Sequence, residues 1–364
     1  MTKKSEIPTA LVAPLDWGLG HTTRCIPVIY QLQQHGYKVI VAAEAVQATL
    51  LLQEFPQITI IPLQGYRIQY SQHKRWLAFK ILQQLPKIIY AIWHEHHWLK
   101  KQADLYQFQL IISDNRFGLW HKKVTSIFIT HQLAIQTPFK WLSNIVGLVN
   151  YFYINRYHTC WVPDMQNTHF SIAGHLSHPN RLPKTPVSYV GPLSRFAGNT
   201  DTTPRETAAF TYKWLFILSG PEPQRSLLEI KLLEAVSHIK ERVLLLRAKP
   251  GATDLPAAPS NCKVINHLPS NEMEKVIRES EYVISRSGYT TIMELLALQK
   301  KALLIPTPGQ TEQEYLANRL QQLKWCYSCT QEDDVLKYIS QAYSFTYQLP
   351  EPQQQLLKNA IAAL

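Results

Sequence analysis

The stretch 281-EYVISRSGYTTIMELLALQKKALLIPTPGQTEQEYLAN-318 decides how the chain is read. Tyr282, Val283 and Ile284 form a short apolar run that stops at polar residues, the pattern of a buried strand. Ser287 and Gly288 then make a tight turn, and Thr290 and Thr291 are placed to cap the helix that follows. That helix carries Ile292, Leu295 and Leu296 on one stripe, with Glu294 off it. A second apolar run, 302–305, is stopped by Pro306 and Pro308. Thr311, with Glu314 three residues on, reads as a capping box that opens another helix. A Gly turn that opens a helix after a strand aims backbone N–H groups and a dipole at an anion. Glu294, one turn in, is placed to accept hydrogen bonds from ribose hydroxyls. The loop 306–310 and the polar residues Glu312, Gln313 and Glu314 are placed to line a sugar. From these residues alone an ordinary βαβ unit with a polar surface is the alternative.

The same pattern recurs upstream. Residues 214–218 form an apolar run, followed by the turn Ser219-Gly220-Pro221-Glu222-Pro223-Gln224-Arg225-Ser226 and a helix over 227–239. Arg225 in that turn is placed to pair with a diphosphate. Runs 243–246 and 263–265 read as further strands, and a helix around Met273 follows His267, Leu268 and Pro269. Residues 197–209 are small, polar and contain Pro, so they read as an interdomain linker.

Before that linker a second αβ series is legible. Leu11, Val12 and Ala13 begin a strand that runs into Asp16-Trp17-Gly18-Leu19-Gly20-His21. Ile26, Ile29 and Tyr30 form a helix stripe ending near Gly36, and 38–43 is the next strand. A Gly turn between a first strand and a first helix lies where open α/β sheets place ligands. It is not the GxGxxG of dinucleotide binding. His21 reads either as a functional group at that edge or as packing at the helix start. Further strands are expected at 58–61, 110–113, 126–130, 160–162 and 188–190. Asp114 and His131-Gln132 each fall just past a strand end. Asp114 is a second candidate base, with capping of the following turn as the alternative.

At 364 residues and 46% hydrophobic content the chain is long enough for two ordinary domains with substantial cores. Five scattered cysteines, with Cys326 and Cys329 as a lone CxxC, fit free thiols in a reducing cytoplasm rather than a disulfide framework. The N-terminal residues lack the apolar core of a signal peptide, and no apolar run reaches transmembrane length. The net charge of +11 either faces something anionic, with nucleic acid, an anionic membrane surface and phosphorylated substrates as candidates, or keeps the protein soluble. No zinc-finger or RNA-binding signature is present, so nucleic acid is the weakest of the candidates. Residues 66–101 hold seven Lys or Arg, one acid (Glu95) and seven aromatics, with Ile81, Leu82, Leu85, Ile88, Ile89 and Ile92 at helical spacing and Pro86 as a kink or break. Such a helix either lies on an anionic membrane surface or packs on the sheet with a solvated basic face. His94, His96 and His97 read as a polar helix face rather than a metal site. The uncharged run 141–155 reads as a buried helix or a second surface dipping into lipid.

The 281–318 string resembles the donor-binding region of the lipid II-forming N-acetylglucosaminyltransferase group of glycosyltransferases. The residues that carry the likeness are Arg286-Ser287-Gly288, Thr291, Glu294, Pro306 and Gln313-Glu314, where Glu314 stands in place of a second Gln. The likeness implies an α/β fold of two Rossmann-like domains facing a cleft, the GT-B architecture. It implies an acceptor-side domain over 1–196, a donor domain over 210–345 and a tail, 346–364, packing back toward the first domain. Implied donor contacts are Glu294 to the ribose, Gln313 and Glu314 to the sugar, and Ser287, Gly288 and Thr291 around the nucleotide. Gln310 at the sugar and Gly220 and Arg225 at the diphosphate come from the reading of the residues, since the group has a Gly-Gly-Ser turn where this chain has Gly220-Pro221-Glu222-Pro223. Leu268 is implied at the base, and Arg195, in a Gly-Pro-Leu-Ser-Arg segment similar to one in the group, at a phosphate. On the acceptor side the likeness implies Gly18, Gly20 and His131, with His21 as first choice of base. The implied reaction is inverting transfer of a sugar, N-acetylglucosamine or a similar hexose, from a UDP-sugar to a lipid-linked or glycan acceptor. No metal and no cofactor beyond the UDP-sugar co-substrate are expected. The implied location is the cytoplasm, peripheral on the inner face of the membrane. Gly18 to Cys25 also looks like the opening of UDP-sugar hydrolases of this fold, which leaves hydrolysis as an alternative. A nucleotide-sugar 2-epimerase and a non-catalytic sugar-nucleotide-binding subunit stand further off.

Overall fold

The computed structural model describes residues 7–67, 77–137, 140–196, 210–249, 251–351 and 356–364. The expected linker, 197–209, lies outside them, as does 68–76 within the basic aromatic segment. The described residues fall into two compact units, one of residues up to 195 together with the C-terminal 356–364, the other of the intervening residues.

The first unit runs β1 (Thr9–Pro14), α1 (Leu19–Gln34), β2 (Lys38–Ala43), α2 (Ala45–Glu54), β3 (Thr59–Pro62), α3 (Leu77–Tyr106), β4 (Leu110–Asp114), β5 (Thr125–Ile129), α4 (Lys140–Ile154), β6 (Thr159–Val162) and β7 (Val187–Tyr189). Its inner strands β1, β2 and β4 are short apolar runs buried on both faces, the edge strands β3 and β7 are partly exposed, and all pair in parallel in the order β3-β2-β1-β4-β5-β6-β7. The order reverses between β1 and β4, which sit side by side with Pro14 opposite Asp114. That neighbourhood is the point at which open α/β sheets present ligands.

The second unit continues with β8 (Tyr212–Ile217), α5 (Gln224–Val236), β9 (Val243–Leu246), β10 (Cys262–Ile265), α6 (Ser270–Arg278), β11 (Ser280–Ser285), α7 (Tyr289–Ala297), β12 (Lys301–Leu304), α8 (Thr311–Gln322), β13 (Tyr327–Ser328) and α9 (Val335–Ala342). Its parallel order is β10-β9-β8-β11-β12-β13, with the reversal between β8 and β11 and Ile217 opposite Ser285. The last helix, α10 (Leu356–Ala362), buries Leu357 and Ile361, packs on α1 and belongs to the first unit.

Helix α3 runs through Pro86 as one element, so the proline does not split it. Its inner face buries Ile92, Leu99 and Ala103, while Ile89, Tyr90 and Trp93 face outward. The one acid in the segment, Glu95, is also buried. Arg116 Nε donates to it at 2.7 Å, Tyr66 OH at 2.9 Å and Gly118 N at 3.0 Å. Burial pushes the Glu95 carboxyl up, against the pull of the Arg116 charge. This cluster pins the loop after β4 to α3. A Cβ at Gly118 would come within 2.4 Å of Ile92 O and 2.5 Å of Glu95 Cβ. Gly118→Ala is therefore expected to cost about 3 kcal/mol, since backbone and a bonded side chain must both shift. A melting temperature within a degree of the parent protein would contradict that.

Helix α4 is neither buried nor polar. Trp141, Ile145, Leu148, Val149 and Phe152 recur at helical spacing and are all exposed, Leu148 by 71%. Of the two alternatives read for 141–155, the fully buried helix is thus removed and an exposed surface remains: the inward contacts of α4 come from its other face, through Tyr151, Tyr153 and Ile154.

Candidate functional site

In the first unit the topology brings together groups far apart in the chain. Gly18, at φ +94°, opens α1 in a conformation that side chains rarely adopt, and its N–H donates to Asp16 O. Gly20 lies inside the helix and its carbonyl accepts from Thr23 Oγ1. His21 and Arg24, three residues apart, share one face of α1. Because β4 lies beside β1, its last residue, Asp114, meets that face. His21 Nδ1 lies 3.0 Å from Asp114 Oδ2, and Arg24 Nε reaches Oδ1 at 3.0 Å and Oδ2 at 2.9 Å. Arg24 Nη2 also bonds Asp114 Oδ1. His131, just past β5, enters the same cluster with Nδ1 3.2 Å from Arg24 Nη1. The two candidate bases are therefore one unit, not alternatives.

The carboxylate assigns their roles. Asp114, paired with the Arg24 guanidinium, can only accept, so the tautomer with the proton on His21 Nδ1 donates to it and leaves the Nε2 lone pair as the basic site. Arg24 Nη2 lies 2.9 Å from the same Nδ1. Asn115, at φ +55°, lies beside the cluster, and with its side-chain amide turned to satisfy its neighbours its oxygen accepts from Arg24 Nη2 at 3.2 Å. Asp114 is the orienting carboxylate. Burial alone would raise its pKa, but Arg24 and His21 outweigh that and hold it below the usual carboxylate range. Burial lowers His21, and the Arg24 charge adds to the effect against the opposing Asp114. The His21 side chain is 16% exposed, so it keeps a path to solvent. If His21 is a base, log(kcat/KM) falls with unit slope on acidification, with its midpoint below the ordinary histidine value of about 6.5. It stays flat above that point. A midpoint above pH 7 would contradict the assignment.

In the second unit the reversal between β8 and β11 gathers three loops. Gly220, at φ +97°, lies after β8, and a Cβ there would stand 3.5 Å from Thr307 Oγ1 in the loop after β12. Ser287 and Gly288 follow β11, and Gly288 is the N-cap of α7. The expected threonine caps are corrected: α7 starts at Tyr289, so Thr290 and Thr291 lie inside it, and no side chain caps it. Glu294 is buried in the second turn of α7. The expected capping box at Thr311 is corrected too, because Gln310 is the N-cap of α8. Glu314 Oε1 instead accepts from Gly309 N at 3.1 Å, and Gln313 Oε1 accepts from Thr307 N at 2.9 Å while its amide donates to Gln310 Oε1 at 2.6 Å. Ser287 Oγ donates to Gln313 O at 2.8 Å. The residues expected at the sugar thus also fix the loop that carries them.

Arg225 is the main departure. Its buried guanidinium donates to Glu222 at 2.6 Å, Glu229 at 3.0 Å and Arg247 O at 3.4 Å. Arg247 bonds Glu229 and Asp254 in turn. Arg225 is a brace inside α5 rather than an open diphosphate ligand. Its charge in a Gly turn suggested the ligand role, but the acids at i−3 and i+4 were the signal for the brace. Leu268, half-buried, follows β10 beside a groove of about 430 Å³ whose lining includes Lys249, Thr253, Asn266 and His267. Arg195 closes the described part of the first unit, four residues after Gly191 at φ +74°. Among the described residues no group of three His, Cys, Asp or Glu is arranged to hold a metal ion.

Residues 256–362 match the glycosyltransferase family 28 C-terminal domain. No curated protein matches the sequence. Solved structures similar to this one include a kitacinnamycin glycosyltransferase, at 13% identity and TM-score 0.64 over 98% of this chain and 94% of that chain. Spinosyn rhamnosyltransferase SpnG complexed with thymidine diphosphate aligns at 13% identity and TM-score 0.62, over 98% and 94%. MurG of Acinetobacter baumannii aligns at 15% identity and TM-score 0.58, over 98% and 99%. The chain thus has the two-sheet α/β fold of GT-B glycosyltransferases, and its residues 256–362 are similar to the C-terminal domain of glycosyltransferase family 28.

Proposed function

We propose that the protein is an inverting glycosyltransferase that moves a hexose of the N-acetylglucosamine type from a UDP-sugar to a hydroxyl of a lipid-linked or glycan acceptor. The observation that carries the reading is the His21–Asp114 pair, a neutral imidazole with Nε2 open and Nδ1 held by a buried carboxylate. The acceptor hydroxyl gives its proton to Nε2 while its oxygen bonds to C1. The bond from C1 to the phosphate oxygen breaks and UDP leaves with the electron pair, so one displacement inverts the anomeric centre. The amino-terminal ends of α5 and α7, with Gly220, Ser287 and Gly288, meet the diphosphate, and Glu294 meets the ribose. Gln310, Gln313 and Glu314 present the sugar side. In this reading the diphosphate charge needs no metal.

The exposed stripe on α4 supports an acceptor held at a membrane surface. The stripe is apolar and exposed in a chain of net charge +11, so it offers apolar area while the rest of the chain supplies attraction to anionic lipid. Among the described residues no helix is long and apolar enough to cross a membrane. The association proposed is peripheral, on the cytoplasmic face. Hydrolysis is the second reading, because the same pair would activate water and the string from Gly18 to Cys25 places His21 and Arg24 in the cluster. A panel of UDP- and dTDP-sugars, assayed for nucleotide release with and without a bacterial lipid extract, separates the two. Lipid-dependent release supports transfer; equal release in buffer alone would replace it by hydrolysis; no release from any donor would remove both.

A further inference from the structure

Two arginines near the nucleotide end of the second sheet have opposite surroundings. Arg225 belongs to a cluster in which Glu222, Glu229 and Asp254 balance it and Arg247. Arg286, one residue before the Ser287-Gly288 turn, is 1% exposed and pairs with no carboxylate among the described residues. Its Nη1 donates to Ile305 O and Pro306 O at 3.2 Å each, and Nη2 to Gln224 O at 2.8 Å and Gln331 Oε1 at 2.6 Å. These neutral acceptors solvate the cation but do not cancel its charge. Nε has no partner at all, and neither has the buried hydroxyl of Thr307 in the adjoining loop.

A buried guanidinium without a counter-charge is costly. The guanidinium lies between the loop after β12, at Ile305 and Pro306, and Gln224, the first residue of α5, and its own residue immediately precedes the Ser287-Gly288 turn. The cation and the partnerless Thr307 hydroxyl thus border the Gly turns after β8 and β11. Burial pushes Arg286 down to about 10, with only the charge of exposed Glu332 opposing.

We infer that Arg286 is a fixed buried charge whose counter-ion is the diphosphate of the bound donor. It acts on the ligand through the Ser287-Gly288 turn, as a positioning and electrostatic residue rather than a catalytic one. The inference rests on the donor reading above. It adds a source of selectivity for diphosphate over uncharged nucleoside, a role first expected of Arg225.

The test is the ratio of uridine to UDP dissociation constants, measured by calorimetry on the full chain. The parent protein is expected to prefer UDP, and R286M to lower the ratio by roughly tenfold or more. Q331A, which loosens the guanidinium without removing its charge, is expected to leave the ratio within about threefold. A purely scaffolding role would weaken both ligands equally in R286M and leave the ratio unchanged, which would overturn the inference. Should R286M fail to fold, R286K decides: it keeps the charge, so the ratio is expected to survive, and its collapse would overturn the inference. A parent protein that binds neither ligand, or both equally, would instead remove the donor reading itself.

Discussion

Replacing His21 by Ala is expected to lower kcat by roughly 10²–10⁴-fold while the donor dissociation constant stays within about threefold. The loss is the contribution of a positioned base, about 3–5 kcal/mol of barrier. The donor-holding groups of the proposed function lie in the second unit, so ground-state donor binding is not expected to change. The fold is expected to survive, because Asp114 keeps Arg24 as its partner when the imidazole is gone. Matched measurements of turnover and of donor binding check this. A variant with near-normal turnover would show that another group takes the proton.

The second large effect is on stability. Arg24→Met leaves the fully buried Asp114 carboxylate without its cation, and breaking a buried pair from one side costs about 3–5 kcal/mol. Arg24 also bonds Asn115 and His131, so Arg24→Lys, lacking the planar fork, is expected to recover only part of the loss. The pH dependence has a defined sign. Asp114 titrates lower folded than unfolded, so its share of the stability is present above about pH 4 and lost as acid drives protonation below that. In Arg24→Met that share disappears, and its unfolding midpoint in urea should approach the parent's only at low pH. Equal midpoints at pH 7 would show that the pair contributes nothing.

Much of the fold was written in local patterns. Each expected strand appears within two residues of its expected place, because runs such as Val39 to Ala43 or Leu110 to Ile112 are apolar on both faces. Helix starts were less legible. Threonines suggested caps at α7 and α8, but Gly288 and Gln310 take those places, and the side chains of Gln313 and Glu314 serve the loop instead. The cluster around His21 could be guessed in its parts and not as a whole. Asp114 lies 93 residues from His21, and no local signal says that β4 returns beside β1. Arg24 was visible only as a member of a string, since its role depends on the carboxylate that the return of β4 delivers. Arg225 misled because a basic residue in a Gly turn reads as an anion ligand, and only the folded helix shows Glu222 and Glu229 closing on it. The exposed face of α4 was left as one of two alternatives for a different reason: an uncharged run has no polar side to mark which way it faces.

The most direct measurement follows the sugar itself. A UDP-sugar labelled in the sugar ring is incubated with the protein and a bacterial lipid extract, and the label is traced in single turnover for the parent and for His21→Ala. The account predicts label in the organic phase with the parent, and label retained in intact, protein-bound donor with His21→Ala. Label released as free sugar by the parent, or transferred equally by both proteins, would contradict it.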